Sequence, residues 1–253
     1  LVTPSGRRAA GVEYFDVAGM PHRITATLVV LAANAIQNPC ILLASAGDKH
    51  PNGLANASGF VGRGFFAHGA VNLYGLFAEE TDNHMGRTGG QLMSQEQYAR
   101  DPKRGFVSGY TWRIGQAQKF ADLAGIGNAR ADLIGPALND FVARASRHMG
   151  AMSALAANLP DPANRIVLTS ERDRFGLPLA RVSHTLGADA KQCLAVATAQ
   201  GLDVLRAAGA TQAWAAPVRT EHMMGGTVMG DDPGRSVADR WGRAHDVENL
   251  FLA

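Results

Sequence analysis

Little in this sequence points to a special environment. Two cysteines, Cys40 and Cys193, are too few for a disulfide framework or for a metal site of their own. Both stand in apolar, helix-like text and read as small buried hydrophobes. Lys and Arg number 24 against 22 Asp and Glu, so no excess of one sign argues for nucleic acid or an acidic lipid surface. The longest apolar stretch, around Leu28 to Ile36, falls well short of the ~20 residues of a membrane span. Charged residues make up only 18% and apolar ones 46%, which excludes a disordered tail, a polyampholyte linker and a coiled coil. What is plentiful is glycine (29) with 11 prolines, the composition of a turn-rich α/β or α+β chain. The 253 residues suffice for one large domain or two modest ones.

Hydrophobic periodicity gives a first map. Gly11 to Asp16 alternates as a half-buried strand, and Val17 to Met20 is a turn. His22 to Ala32 begins in alternation and becomes continuously apolar at Leu28-Val29-Val30-Leu31, the pattern of a strand entering a parallel sheet covered on both faces. Asn38-Pro39 predicts a cap and first turn for a short helix from Cys40 to Ala46. Asp48 to Gly69 is loop-like, Val71 to Ala78 a strand, Thr81 to Gly90 a polar surface loop, and Phe106 to Ile114 a strand with Tyr110 and Trp112 on one face. Apolar residues at three- and four-residue spacing predict a long helix from Ala137 to Leu159, ended by Pro160. Asn164 to Thr169 and Ala180 to Leu186 read as strands, and Asp189 to Ala208 as a helix capped by Asp189. Asn249 to Ala253 reads as a buried strand that stops without turn or cap, and the opening residues read as mid-chain. An internal fragment of a longer protein is expected.

Several familiar motifs are missing. Gly125-Ile126-Gly127 and Gly62-Arg63-Gly64 lack the third glycine and the preceding strand of a dinucleotide fingerprint. No G-x-S-x-G elbow occurs, and the eight histidines show no metal-ligand spacing, so no metal is expected. One segment does stand out: Glu221-His222-Met223-Met224-Gly225-Gly226-Thr227-Val228-Met229-Gly230. A histidine beside a glycine pair sits where backbone can approach a flat ligand, and a neutral imidazole there can accept an alcohol proton. A loop histidine also has an ordinary structural reading.

The run from His222 to Gly230, followed by Asp232-Pro233, Ser236-Val237, Asp239, Arg243 and Val247-Glu248-Asn249-Leu250-Phe251, resembles the C-terminal signature of the glucose–methanol–choline (GMC) flavin oxidoreductases. It is most similar to the branch of gluconate, sorbitol and FAD-dependent glucose dehydrogenases. Val29 to Pro39 resembles that family's strand and helix start beside FAD. Asn52 to Asn56 with Val61-Gly62-Arg63 and His68 resembles the passage between its two domains, and Asn164 to Leu168 with Asp173, Gly176 and Pro178 its substrate-domain strands.

The resemblance implies an α+β fold: an antiparallel-sheet substrate domain with helices on one face, flanked by partial pieces of an FAD-binding α/β domain. It places a partial FAD-binding domain at 1–68, the substrate-binding domain at 69–217, and a return to the FAD-binding domain at 218–253. It implies oxidation of an alcohol group of a sugar, polyol or sugar acid, with hydride passing to flavin N5 and electrons to an acceptor other than oxygen. An oxygen-using oxidase and a non-catalytic fragment are the alternatives. His222 takes the place of the catalytic base. Ala32, Ala33 and Asn34 are candidates to line FAD, with plain strand-to-helix packing as the other reading. Glu221 is a candidate substrate contact or a tuner of His222, or else a solvated carboxylate. His68 reads as a packing or hydrogen-bonding residue. The second catalytic residue and the FAD diphosphate loop fall outside this sequence, so the chain alone is expected to be inactive. The full-length protein is expected to have a small or cytochrome subunit as a partner, and a periplasmic or inner-membrane-associated location is favoured.

Overall fold

The computed structural model describes residues 1–86, 92–115 and 117–253. In chain order the elements begin with β1 (Gly11–Phe15), β2 (Pro21–Thr25), β3 (Val29–Leu31), α1 (Asn34–Ala44) and β4 (Phe66–Leu76). There follow β5 (Leu92–Ser94), β6 (Tyr110–Ile114), α2 (Phe120–Asn128), α3 (Pro136–His148) and β7 (Met149–Ala156). The chain continues through β8 (Arg165–Arg172), β9 (Pro178–Ser183), α4 (Ala188–Ala207), β10 (Gln212–Ala215), β11 (Arg219–Met224) and β12 (Leu250–Leu252). Of the loop expected at Thr81 to Gly90, positions 87–90 lie outside the described residues.

Two compact units result. The first joins Leu1–Phe66, Pro160–Thr185 and Met223–Ala253, and the second joins Ala67–Leu159 and Leu186–His222. The segment expected as one domain at 69–217 is therefore interrupted. The β8–β9 hairpin packs on α1 rather than on the large sheet, and Ile166 is buried with Cys40 and Phe65. The Ile166 N–H also bonds the Gly62 carbonyl.

In the first unit, β1 and β2 form an antiparallel hairpin, while β3 pairs in parallel with β12. The continuous strand expected over His22 to Ala32 is broken, because Asn249 holds the corner between β2 and β3. Its buried side-chain amide donates to the carbonyls of Thr27 and Ala9 and accepts from the Ala9 N–H. The parallel pairing is as expected, but Val30 faces solvent, so the strand is not covered on both sides. Helix α1 starts earlier than Asn38-Pro39 indicates, and Pro39 lies inside it. Asn34 Oδ1 satisfies its first turn, accepting from the N–H groups of Ile36 and Gln37. Asn38 is no cap: it is 2% exposed and bridges the unit, donating to Leu31 and Ala253 carbonyls and accepting from Ala33 N–H. A buried amide with three partners is a strong local specification.

The glycine pair Gly225-Gly226 serves this unit's own packing. Both have left-handed backbone. A Cβ on Gly225 would stand 2.1 Å from the Gly64 carbonyl oxygen, and one on Gly226 2.8 Å from that of Ala35. The close approach is to protein backbone, where the sequence had pointed to a flat ligand.

The second unit is a six-stranded sheet in the order β10-β4-β7-β6-β5, with β11 also paired to β4. Its β10–β4, β4–β7, β7–β6 and β6–β5 ladders are antiparallel. Helix α4 lies on the face that carries Val71, Leu73, Tyr110, Trp112, Met152 and Ala154, and buries them with Cys193, Leu194 and Ala197. Helices α2 and α3 close one corner of the opposite face around Tyr74, Leu76, Met149 and Ala151. Burial pushes the Cys193 thiol up to about 11, so it behaves as the small hydrophobe expected.

The long helix expected from Ala137 to Leu159 is in fact α3 followed at once by β7, which runs between β4 and β6. Apart from Ser153, Met149 to Ala156 is apolar on both faces, and such a run has no period that separates a buried strand from a buried helix. Ladders on both sides decide the matter. Asp189, expected as the cap of α4, lies within its first turn and accepts instead from the N–H groups of Val107 (2.6 Å) and Ser108 (2.9 Å).

Two outcomes follow. Burial raises the Asp189 carboxyl, but hydrogen bonds from Ser108 and Val107 outweigh it and hold it below the ordinary carboxylate range. Its stabilisation is then complete above the unfolded value, about 3.9, and fades as pH drops through the lower folded one. Asp189→Asn is expected to lower the urea midpoint at neutral pH and to flatten the acid limb of the stability profile; an unchanged midpoint contradicts this role. Gly225→Ala forces a side chain into left-handed backbone at a cost of about 1–3 kcal/mol before the clash is counted. Thermal unfolding should show the loss, and a wild-type melting temperature would rule out the packing described.

Candidate active site

The residues of chemical interest in the second unit gather on the sheet face opposite α4. In register across three strands, Asn72 of β4 faces Ser153 of β7, which faces Arg113 of β6. Strand alternation puts these side chains on the face away from Trp112, and puts His68 of β4 on the same side as Asn72. Ser153 is buried, and Arg113 and Asn72 are half-buried. Asn72 donates to the Tyr74 hydroxyl at 3.0 Å, while its Oδ1 is buried without a hydrogen-bond partner among the described residues. Farther along this face a cavity of about 550 Å³ is lined by Asn72, Tyr74, Asp122, Arg130 and Trp214.

His222 lies in β11, where the sequence indicated only loop. It is one of the few described non-glycine residues with left-handed backbone, at φ +56°, and its side chain is exposed. Because β11 pairs with β4, His222 comes beside His68. The two Nδ1 atoms are 3.3 Å apart, and the rings meet edge to face with centroids 5.5 Å apart and planes at 90°. A bond between two imidazole nitrogens needs one donor and one acceptor, so at least one ring must be neutral. Burial holds His68 below the ordinary histidine range. The neighbouring His222 and Arg113 charges add to this, and Glu221 opposes it.

Glu221, a candidate substrate contact in the sequence, is partly buried and paired with Arg219 at 3.2 Å. Sequence reasoning gave His68 no chemical part. It lies 154 residues from His222, so no local spacing links them; only the ladder does. Ala32, Ala33 and Asn34 belong to the first unit, at the carboxyl end of β3 and the start of α1. Ala32 and Asn34 are exposed, whereas the Ala33 N–H is committed to Asn38. Among the described residues, no three His, Cys, Asp or Glu side chains converge to hold a metal ion.

Residues 160–253 match the GMC oxidoreductase family. Over its full length the chain is 33% identical to the fructose dehydrogenase large subunit of Gluconobacter japonicus, and it covers 46% of that protein. Over 97% of its length it is 30% identical to the 2-methyl-1,2-propanediol dehydrogenase of Mycolicibacterium austroafricanum, again covering 46%. The chain thus spans less than half the length of these relatives. Among solved structures, a formate oxidase of Aspergillus oryzae RIB40 superposes on the whole chain with a TM-score of 0.64 at 12% identity, over 53% of its own length, which shows the fold. His222 and β12 thus lie in the part of the chain that matches the GMC oxidoreductase family.

Proposed function

We propose that the full-length protein is an FAD-dependent dehydrogenase that oxidises an alcohol group of a sugar, polyol or sugar acid, with His222 as the base. The observation that supports this best is the placing of His222: an imidazole on left-handed backbone, with Nδ1 engaged by His68. Strained positions of this kind gather at functional sites. The engagement of Nδ1 leaves Nε2 to take the hydroxyl proton. As the O–H bond loses its proton to Nε2, the C–H bond gives up a hydride and a carbonyl forms. FAD, when bound, supplies the hydride acceptor.

The residues of the first unit fit such a cofactor. The carboxyl ends of parallel strands followed by a helix are where open α/β sheets take nucleotides. Here Ala32 offers only a methyl group at that end, and both it and Asn34 are exposed. Ala32, Ala33 and Asn34 would line the adenosine side, Ala33 without its N–H, which Asn38 holds. In the second unit, the row of Asn72, Ser153 and Arg113 suits a substrate rich in hydroxyl groups, and the unpartnered Asn72 Oδ1 is an acceptor ready for one. Glu221, held by Arg219, lies next to the base and is placed to tune it or to meet a hydroxyl. The two relatives named as dehydrogenases favour an acceptor other than oxygen, and the fructose dehydrogenase large subunit favours a further subunit.

In the full-length, FAD-loaded protein, assayed on polyols, sugars and sugar acids with an artificial electron acceptor, His222→Ala is expected to lower kcat by roughly 10²–10⁴-fold. The flavin absorbance should remain. Wild-type turnover by His222→Ala removes the base from this account. Stopped-flow reoxidation in air-saturated buffer should be slow against turnover with the dye; fast reoxidation makes the protein an oxidase instead.

A further inference from the structure

We infer that His68 is a positioning residue for His222: its Nδ1 accepts a hydrogen bond from the His222 Nδ1–H and so fixes the tautomer in which His222 Nε2 is the free basic nitrogen. This rests on the reading of His222 as the base. The 3.3 Å contact allows two tautomer arrangements. If His68 donated, His222 would carry its proton on Nε2 and could accept none from a hydroxyl. If His222 donates, Nε2 is unprotonated and able to accept a hydroxyl proton. The second arrangement also survives the reaction. Once His222 has taken the substrate proton both of its nitrogens are donors, and the bond persists only if His68 is a neutral acceptor.

The surroundings of His68 favour that neutral state. Burial is the largest influence, and the charge of His222 on β11 and of Arg113 on β6 act in the same direction. Glu221 of β11 acts against them, but its carboxylate is shared with Arg219. His68 therefore gains its proton only at lower pH than an ordinary histidine. Above that pH it orients the base without competing for the proton, the part an aspartate plays in a Ser-His-Asp triad but without a formal charge.

The test is the pH profile of kcat/KM for the full-length, FAD-loaded protein and three variants. His68→Leu removes the acceptor and is expected to lower kcat/KM by roughly 10–100-fold, the usual loss when an orienting partner of a histidine is deleted. His68→Gln restores an acceptor oxygen and should recover most of it. His68→Glu places a carboxylate against the imidazolium and should move the acid limb to higher pH by about one unit or more. A merely structural role predicts no such directed movement. His68→Leu within threefold of wild type, or His68→Glu with an unmoved acid limb, overturns the proposal. Where His68→Leu fails to retain flavin, the comparison of His68→Gln with His68→Glu decides in the same way. Loss of turnover in His222→Ala together with indifferent His68 variants would overturn this role alone, whereas turnover by His222→Ala would overturn the base itself.

Discussion

The ladder between β4 and β11 is the constraint on which the proposed chemistry depends. It joins two segments that share nothing in sequence and sets two imidazoles within hydrogen-bond reach across 154 residues of chain. Strand pairing fixes such a distance better than a loop does, because register and side-chain alternation leave few positions from which a ring can meet its partner. Burial of His68 then makes the contact an asymmetric pair, because it holds that ring below the ordinary histidine range.

Elsewhere the fold relies on amides and close backbone approaches in place of buried charge. Asn38 and Asn249 each satisfy three backbone groups around the parallel β3–β12 pair. Gly225 and Gly226 let the chain after β11 press on the backbone of residues 64 and 35. The candidate cofactor strand and the candidate base thus stand at the edges of well-determined packing. Asn34 and His222 are also two of the few described non-glycine residues with left-handed backbone, a conformation retained only where surrounding structure imposes it.

Where burial is one-sided, the sequence is easy to interpret. The β1 alternation, the Tyr110 and Trp112 face of β6 and the apolar end at β12 all follow from local pattern. Legibility fails wherever a long-range partner decides. The largely apolar text of Met149 to Ala156 becomes strand because β4 and β6 flank it. Asn38 looks like a cap until Ala253 and Leu31 claim its amide, and Asp189 looks like one until Val107 and Ser108 do. The hairpin at 165–183 looks continuous with the large sheet until α1 takes its apolar side. The text from Glu221 to Gly230 marks His222 as a candidate, whereas its contact with His68 has no local sign, because a histidine's partner across a sheet leaves no trace nearby.

The placement of the proton between His68 and His222 is directly observable. Side-chain nitrogen resonances of ¹⁵N-histidine-labelled full-length protein, assigned with His68→Gln and His222→Ala, report which ring nitrogen of each carries hydrogen. Near neutral pH, His222 should be protonated on Nδ1 and bare on Nε2, with His68 neutral and protonated on Nε2. Finding the proton of His222 on Nε2, or finding His68 charged at neutral pH, would contradict the account.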